Sequence, residues 1–326
     1  MTESTVVEIF DYWRNQGFPY YELSVDEKNK EFNNFVNYDK SKILQDNVIK
    51  QTMHGLALIW SYFPHHWEVK VGKMLTPKDI WNDDKRFVKA IESRIKNNGY
   101  LIDEFDKAYL PAWSMRKGLS RASGGQRVSN FRPTAAAAIY DKFCGNGAVW
   151  DMSCGYGGRL LGAIGSKKLH TYYGTEPATL TFQGLQQLAE EFGKEKNIKI
   201  VQRGSEFGIA DLIEDNVDLC FTSPPYFNNE IYSNESTQSA IKFSTVSDWN
   251  EFFLRKTIRN AREVLKSNGK LILNVANVKS HNNLETDTLK IAEEEGFELT
   301  AVYQLTLSNI SKGGFKYEPI FVFGLK

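Results

Sequence analysis

Cysteine is scarce in this chain, and its positions follow no recognisable pattern. The 326 residues include three cysteines, Cys144, Cys154 and Cys220, an odd number without C-x-x-C spacing. This argues against both a disulfide framework and a zinc site. His65 and His66 are adjacent and show no metal-ligand spacing. We therefore expect a reducing compartment and no bound metal.

Long apolar runs and an excess of one charge are also absent. No apolar segment reaches the ~18 to 20 residues of a membrane helix, and the start, MTESTVVEIFDYW, lacks the basic and then apolar pattern of a signal peptide. We therefore expect a cytoplasmic protein that makes no membrane contact. The 40 basic and 40 acidic residues cancel, so binding to nucleic acid must depend on local patches.

Apolar residues, by contrast, make up 41% of the chain, enough for a sizeable core. Residues 1–112 show a mostly helical pattern rich in aromatic side chains, and we expect them to form a separate N-terminal region. One helix is predicted to have Thr76 as its N-cap and Pro77 in its first turn, and to continue to a stop near Gly99.

From Pro133 onward, strands alternate with helical stretches, as is typical of a parallel sheet covered on both faces. The candidate strands are 148–153, 170–175, 198–203, 217–222, 270–276, 299–307 and 318–325. The last two runs indicate a terminal hairpin at the sheet edge. We therefore predict an α/β, Rossmann-like domain over residues 113–326, with a mostly parallel seven-stranded sheet that ends in an antiparallel hairpin.

A basic stretch rich in Gly and Ser links the two regions. It contains Arg116, Lys117, Arg121, Arg127 and Arg132, and few acids. Two interpretations are equally open: an ordinary solvated loop, or a nucleic-acid contact, which we assign to the first four of these residues.

A glycine-rich turn, DMSCGYGGR, follows the first candidate strand at residues 151–159. Glycines let the backbone approach a ligand closely. Position 160 is Leu instead of the third glycine of a dinucleotide fingerprint, which disfavours NAD or FAD. Asp151, at the end of the strand, is placed to pair with an ammonium group. This combination suits the methionine part of S-adenosylmethionine, whereas a phosphate-binding loop would avoid the acid.

Acids also follow the next two candidate strands. Glu176 is placed to accept hydrogen bonds from both ribose hydroxyls, and Glu206 to accept one from the adenine amino group. Any one such acid is more often a helix cap or a surface carboxylate. Three of them at successive strand ends favour a cofactor site.

The sequence S-P-P-Y after the fourth candidate strand is the most specific signal in the chain. Its position brings it to the same sheet edge as the glycine-rich turn. An exocyclic amine has a delocalised lone pair, so its nitrogen must be drawn towards tetrahedral geometry before it attacks a methyl sulfonium. The Ser223 hydroxyl and the Pro224 carbonyl are suitable acceptors, and Pro225 helps to fix the backbone. Tyr226 is predicted to stack on a flipped-out base, and Phe227 either lines that pocket or belongs to the core.

With both loops considered, the chain resembles the amino-methyltransferases of DNA, the family of N6-adenine and N4-cytosine methylases. FTSPPY at 221–226 is similar to the cytosine-N4 form, whereas Asp or Asn in place of Ser223 would indicate adenine. The resemblance covers residues 128–326 and implies a Rossmann-like methyltransferase fold, S-adenosylmethionine as cofactor and DNA as partner. FNNEIYSNESTQS, beginning at Phe227, is similar to a segment of methylases carried by phages and mobile elements, some of which belong to restriction–modification systems.

Carried over onto this sequence, the resemblance implies a set of site residues. The cofactor is expected to contact Phe131, Pro133, Asp151, Ser153, Gly155, Gly157, Glu176, Glu206 and Ser223, and catalysis is expected to rest on Ser223, Pro224, Pro225 and Tyr226. Met152-Ser153 departs from the Pro-Phe often found in the family, so one aromatic contact to the cofactor is missing. Little room remains for a separate target-recognition domain. By elimination, residues 1–112, the basic stretch and the loop at 227–247 are expected to recognise the base sequence.

Several alternatives stay open. The same fold and loop could methylate N6 of adenine in DNA, N2 of guanine or N6 of adenine in RNA, or an amide nitrogen of a protein, although Ser223 favours cytosine. An inactive subunit that only binds nucleic acid is a further alternative, against which the joint presence of Asp151, Ser223 and Tyr226 counts. Methylation of a ring carbon needs a cysteine thiolate, usually beside a proline, and the chain has no Pro-Cys pair.

Overall fold

The computed structural model of the chain describes residues 3–124, 128–145, 147–310 and 314–326. The chain divides into two compact units. Unit 1 comprises Met1–Glu22, Pro64–Ser129 and Glu230–Tyr232, and unit 2 comprises Leu23–Phe63, Asn130–Asn229 and Ser233–Lys326. The division between residues 112 and 113 stays a prediction. Within the described ranges, no helix combines the length and the apolar character needed to cross a bilayer.

The helices are distributed over both units. The α-helices are α1 (Glu3–Gln16), α2 (Val25–Asn37), α3 (Leu56–Trp60), α4 (Pro77–Asn82), α5 (Asp84–Lys96), α6 (Ala112–Ala122), α7 (Pro133–Phe143), α8 (Gly158–Ile164), α9 (Thr179–Phe192), α10 (Ser239–Lys242), α11 (Val246–Trp249), α12 (Lys256–Val264) and α13 (Leu284–Glu294). Short 3₁₀ helices cover Lys40–Lys42, Pro64–Glu68 and Ser205–Phe207, and a π-helical segment covers Asn250–Arg255.

The strands form one large sheet and two small ones. They are β1 (Leu44–Gln45), β2 (Val48–Ile49), β3 (Lys70–Val71), β4 (Leu101–Ile102), β5 (Ala108–Tyr109), β6 (Ala148–Asp151), β7 (Thr171–Thr175), β8 (Asn197–Val201), β9 (Val217–Thr222), β10 (Glu230–Ile231), β11 (Leu265–Asn274), β12 (Phe297–Ile310) and β13 (Gly314–Leu325). In unit 1, β3 pairs with β10 and β4 with β5, both antiparallel.

The large sheet of unit 2 has the order β1-β2-β12-β13-β11-β9-β6-β7-β8. Strands β8, β7, β6, β9 and β11 run parallel to one another, whereas β13 is antiparallel to both β11 and β12. The predicted fold class is therefore confirmed: an α/β, Rossmann-like methyltransferase fold whose mostly parallel sheet ends in an antiparallel hairpin. The two-residue strands β1 and β2 extend the seven predicted strands beyond β12, so the hairpin does not form the outer edge.

The central strands are apolar because helices cover both faces of the sheet. On one face, side chains of β6, β9, β11 and β13 share a core with α12 and α13. On the other side, α7 and α8 pack closely at Gly162, where a Cβ atom would lie 2.5 Å from Ala136 Cβ and 3.0 Å from Pro133 O. Glycine is therefore required at this helix contact. The packing keeps the carboxyl ends of β6 and β9 in fixed positions.

Unit 1 is held together by an aromatic core that includes Trp13, Trp67, Trp81 and Phe87. The single helix predicted from Thr76 to the region of Gly99 is wrong in one respect, because it consists of α4 and α5. Thr76 is the N-cap as predicted, with a capping box to Asp79. Asp83 interrupts the helix: its backbone is extended and its side chain accepts a hydrogen bond from Arg86 N, so it caps α5.

The basic stretch that was predicted to link the two regions is helical over Ala112–Ala122, where it forms α6. Its glycine at position 118 serves close packing, since a Cβ atom there would lie 2.8 Å from Arg94 Cγ and 3.2 Å from Ala90 O. Met115 and Leu119 are fully buried. The apolar positions at helical spacing outweigh the Gly and Ser content that indicated a linker.

Candidate cofactor and catalytic site

The glycine-rich turn begins at Asp151, the last residue of β6, and ends where α8 begins at Gly158. Gly155 and Gly157 have φ angles of +54° and +71°, in the left-handed region that favours glycine. A Cβ atom on Gly155 would meet nothing closer than Ser153 O, at 3.9 Å. The backbone at Gly155 is therefore open to the approach of a ligand.

Asp151 is fully buried and forms an ion pair inside the protein. Its Oδ1 lies 2.9 Å from Arg159 Nε, and its Oδ2 accepts a hydrogen bond from the Tyr172 hydroxyl at 2.7 Å. Burial alone would lower the pKa of Arg159, but the carboxylate of Asp151 raises it on balance. The guanidinium also donates to the Ser153 carbonyl. Asp151 thus stabilises the turn from within, while its predicted contact with an ammonium group stays a prediction.

Arg159 is the residue at this site that the sequence analysis missed. A cation in the first turn of a helix is placed unfavourably with respect to the helix dipole. An arginine there, eight residues after an acid at a strand end, indicates a buried partner. That unfavourable position is the signal that could have identified the pair.

Glu176 follows β7 and connects two loops of the site. Its Oε2 accepts a hydrogen bond from Gly155 N at 3.0 Å, and its Oε1 accepts one from Ala178 N at 2.9 Å. Burial raises the pKa of Glu176 to about 7, although these two backbone N–H groups act in the opposite direction. The carboxylate therefore lies at the turn and titrates near neutral pH.

Glu206 lies after β8 in a short 3₁₀ helix, and only 8% of it is exposed. Its Oε1 is 2.5 Å from Lys242 Nζ. Its Oε2 is buried and has no hydrogen-bond partner within the described residues. A buried acceptor without a partner is costly unless a ligand or water satisfies it. Oε2 is thus available to a donor such as an amino group.

The segment 233–242, which follows the S-P-P-Y loop, contacts the residues that come directly after β7 and β8. Glu235 accepts hydrogen bonds from the backbone N–H of Thr179 at 3.0 Å and from its hydroxyl at 2.8 Å. Thr237 donates to the carbonyl of Pro177, and Lys242 reaches Glu206. Part of the loop at 227–247 therefore adjoins the residues expected to bind ribose and adenine. The role of this loop in recognising the base sequence stays a prediction.

The S-P-P-Y loop leaves β9, the strand next to β6, and Phe221 of β9 is paired with Asp151. Ser223 is half-buried, and Pro224 is buried. Tyr226 is half-buried, and its hydroxyl donates to the carbonyl of Asn274 at 3.2 Å. The two predicted loops therefore leave the same edge of the sheet from adjacent parallel strands, as expected.

Phe227 lies in the core of unit 2. It is 6% exposed, and its ring packs against Trp249 with centroids 6.1 Å apart. Of its two interpretations, pocket and core, this burial supports the core. Its φ angle of +52° is unusual for a bulky residue and costs on the order of 1–3 kcal/mol, which the surrounding packing must offset. The end of the loop is therefore held in a strained conformation.

Phe131 borders the glycine-rich turn, whereas Pro133, at the start of α7, adjoins Gly162 further along α8. A Cβ atom on Gly158 would lie 1.8 Å from Phe131 O, so the backbone at Phe131 runs directly against the start of α8. Asn130 Nδ2 donates to Tyr156 O at 2.8 Å. The Phe131 ring meets Phe221 edge-on, with centroids 5.2 Å apart. The structure thus brings together the turn, the start of α7 and the end of β9.

In unit 1, the four basic residues assigned to nucleic acid differ in their environment. Arg116 is engaged internally, because its Nη1 donates to the carbonyls of Pro19 and Tyr20 and its guanidinium lies 4.0 Å from the centre of the Tyr21 ring. Lys117 and Arg121 are exposed on α6, one helical turn apart. Arg127 lies outside the described residues. Within the described ranges, no group of three or more His, Cys, Asp or Glu side chains is placed to hold a metal ion.

Residues 217–323 match a family model described as DNA methylase. The match begins at β9 and extends into β13, so it includes the S-P-P-Y loop. It supports methyltransferase activity, with S-adenosylmethionine as the methyl donor. The DNA methylase match does not include the glycine-rich turn. No curated protein matches the chain.

Several solved methyltransferase structures are similar to the chain at low identity. They include a TehB-like SAM-dependent methyltransferase from Corynebacterium glutamicum (16% identity, 66% of this chain and 96% of that chain, TM-score 0.39), and TrmN from Thermus thermophilus (16% identity, 60% and 49%, TM-score 0.42). An rRNA methylase from Streptococcus thermophilus is similar at 13% identity (61% and 100%, TM-score 0.40). The match thus spans about half the length of the TrmN chain.

Proposed function

We propose that the chain transfers a methyl group from S-adenosylmethionine to an exocyclic amino group of a flipped-out DNA base, with N4 of cytosine as the first candidate. The observation that carries the proposal is the S-P-P-Y loop at the end of β9, beside the glycine-rich turn of β6 and inside the region that matches the DNA methylase model. Ser223 at the first position of the loop supports cytosine over adenine. The similarity of residues 227–239 to phage and mobile-element methylases supports site-specific methylation.

The cofactor is proposed to lie across the ends of β6, β7 and β8. Its methionine part would adjoin Gly155 and Gly157, with Phe131 and Pro133 beside it. Glu176 would accept hydrogen bonds from the ribose hydroxyls. The free Oε2 atom of Glu206 is an acceptor of the kind that the adenine amino group requires. The residues present therefore fit an S-adenosyl group.

S-adenosylmethionine supplies a methyl group on a positively charged sulfur. The chain's own contribution is to prepare the amine. The hydroxyl of Ser223 and the carbonyl of Pro224 accept hydrogen bonds from the two N–H bonds and draw the nitrogen out of the plane of the base. Tyr226 stacks on the base and offsets part of the few kcal/mol that leaving the duplex costs. After transfer, the nitrogen releases one proton to solvent.

The test is to incubate the purified chain with S-adenosylmethionine labelled in its methyl group, separately with unmethylated DNA and with RNA, and to identify the modified nucleosides by mass spectrometry. We expect N4-methylcytosine in DNA. N6-methyladenine would keep the mechanism and change the base, and label in RNA alone would change the substrate class. Absence of label despite cofactor binding would favour the inactive subunit or a protein substrate.

A matched variant separates an enzyme from a binder. Ser223→Ala removes one of the two groups proposed to accept hydrogen bonds from the target amine, while leaving Glu176 and Glu206 in place. We expect cofactor binding to be retained and turnover to fall by about 100-fold or more, the scale on which single hydrogen-bonding groups act on a transition state. Turnover equal to that of the unmodified chain would contradict the role of Ser223.

A further inference from the structure

A carboxyl group on β13 lies at the same edge of the sheet as the S-P-P-Y loop. Asn274, the last residue of β11, is paired with Ile320 of β13, and Ile272 is paired with both Phe221 and Val322. Paired residues share a face of the sheet, and alternation places Glu318 on the face of Ile320. Phe131 packs against Phe221 on this face. Glu318 therefore lies two residues beyond Ile320, past the end of β11, on the face bordered by Phe131.

Glu318 is also connected to the loop itself. It is half-buried, and the polar side chains of Asn274 and Tyr226 lie close enough to lower its pKa. The amide nitrogen of Asn274 donates to Pro319 O at 3.0 Å, which fixes the strand at this point. The carboxyl thus adjoins the hydroxyl end of the ring on which the target base is proposed to stack. No other part of the proposed mechanism uses it.

We propose that Glu318, in its protonated form, donates a hydrogen bond to the ring nitrogen beside the reacting amino group, which is N3 of cytosine. This inference rests on the proposed function and specifies how that site selects its base. The ring nitrogen next to the amine is an acceptor in both cytosine and adenine, whereas thymine and guanine carry an N–H at the corresponding position. A donor here therefore admits the two amino bases and opposes the two keto bases, because two facing donors leave both unpaired.

The surroundings of Glu318 favour its protonated form more than water does. Burial raises the pKa of Glu318, and Glu285 at the start of α13 acts in the same direction. The side chains of Asn274 and Tyr226, and Lys316 on the same strand, lower the pKa without cancelling this effect. Above its raised pKa the carboxyl loses the proton that it donates, so recognition of the base should weaken as pH rises.

The experiment compares the full-length chain with Glu318→Gln and Glu318→Leu, on DNA that carries cytosine or 3-deazacytosine at the target position. Glutamine keeps a donor and an acceptor of the same shape but does not titrate, whereas leucine has neither. We expect 3-deazacytosine to lower kcat/KM of the unmodified chain by about tenfold or more, the effect of a lost buried hydrogen bond. We expect Glu318→Leu to be impaired on cytosine and nearly insensitive to the deaza substitution.

The deciding quantity is the ratio of kcat/KM on cytosine to kcat/KM on 3-deazacytosine, compared between the three proteins. The absolute values do not decide, because 3-deazacytosine also pairs weakly and leaves the duplex more easily. Glu318→Gln should retain activity within about threefold and lose the decline of kcat/KM at high pH, which a purely structural role would not change. An equal deaza penalty in all three proteins, or an unchanged pH profile in Glu318→Gln, would overturn the inference.

Two controls distinguish a failure of this inference from a loss of folding or of cofactor binding. Cofactor binding should be the same in all three proteins, and a variant that does not fold is identified by circular dichroism, in which case Glu318→Gln decides alone. If the unmodified chain methylates adenine, 1-deazaadenine replaces 3-deazacytosine. A chain that methylates no nucleic acid overturns the proposed function and this inference together. Methylation of DNA with a 3-deazacytosine penalty that does not depend on residue 318 overturns this inference alone.

Discussion

Asp151 and Arg159 are opposite charges buried together where β6 meets the glycine-rich turn, with 0% and 5% of their side chains exposed. Removing two ions from water is expensive, and the pair is tolerated because each partner satisfies the other. The Tyr172 hydroxyl and the Ser153 carbonyl complete the hydrogen bonds. The conformation of the turn therefore depends on this pair before any ligand binds.

Replacing Arg159 with Ala should leave a buried carboxylate without its cation. We expect the free energy of unfolding to fall by about 3–5 kcal/mol, measured by urea denaturation. Arg86→Ala is the matched control, since the pair of Arg86 with Asp83 is half-exposed and should contribute no more than about 1 kcal/mol. Similar losses of unfolding free energy in the two variants would show that a buried ion pair contributes no more to stability here than an exposed one.

The positions of individual residues in the fold could be predicted where they follow from the chain itself. The acids at successive strand ends and the S-P-P-Y loop could be located because each follows an apolar strand. Arg159 could not, since its partner is identified only when β6 and α8 are packed. Phe227 illustrates the same limit: both of its interpretations were compatible with the sequence, and only its packing against Trp249 favours one.

At the scale of elements, the contact between α8 and the segment before α7 defines one wall of the proposed cofactor site. The backbone at Phe131 passes so close to Gly158 that no side chain fits between them. This contact explains why glycine occupies the first position of α8 although it is a poor helix former. It also links the position of Phe131 to that of the turn.

Gly158→Ala should push Phe131 away from the turn. We expect a loss of about 1–3 kcal/mol in the free energy of unfolding, typical of overpacking, together with weaker binding of S-adenosylmethionine in calorimetry. The control is Gly145→Ala, because a Cβ atom at Gly145 meets nothing within 4 Å. Unchanged affinity for S-adenosylmethionine in Gly158→Ala would show that Phe131 does not contribute to cofactor binding.

The elements themselves were predictable to different degrees. All seven long strands of the sheet were found, because apolar runs bounded by turns are a strong signal. The division of one helix into α4 and α5 was missed, since Asp83 interrupts a pattern that is otherwise continuous. Strands β1 and β2 have two residues each and carry no periodicity, so their addition to the sheet depends on tertiary pairing alone.

At the scale of the whole molecule, the cancellation of 40 basic and 40 acidic residues removes any long-range attraction to DNA. Binding must then rest on local surfaces. On α6 of unit 1, Lys117 and Arg121 follow Trp113 at intervals of four residues, and Trp113 is 51% exposed. These three side chains share one helix face. Arg116, in contrast, is engaged with backbone carbonyls of its own unit.

Lys117→Ala combined with Arg121→Ala should weaken DNA binding and reduce the slope of log K against log salt concentration by about 2, roughly 0.9 for each phosphate that is no longer neutralised. Binding of S-adenosylmethionine should not change. The double variant Lys70→Ala and Lys73→Ala removes the same charge from exposed positions of unit 1 and should leave the slope unaltered. An equal reduction in both double variants would contradict a specific role for α6.

The position of β13 has a consequence for the timing of folding. This strand covers Gly314–Leu325, yet it lies inside the sheet, between β11 and β12. While the chain emerges from the ribosome, β6, β7, β8 and β9 can pair first, but the edge of β11 stays bare until residues 314–325 have left the exit tunnel. A nascent or prematurely terminated chain that lacks β13 therefore exposes apolar strand edges. The sheet is thus completed only after β13 has been synthesised, so a chain truncated before residue 314 should be recognised by chaperones and proteases.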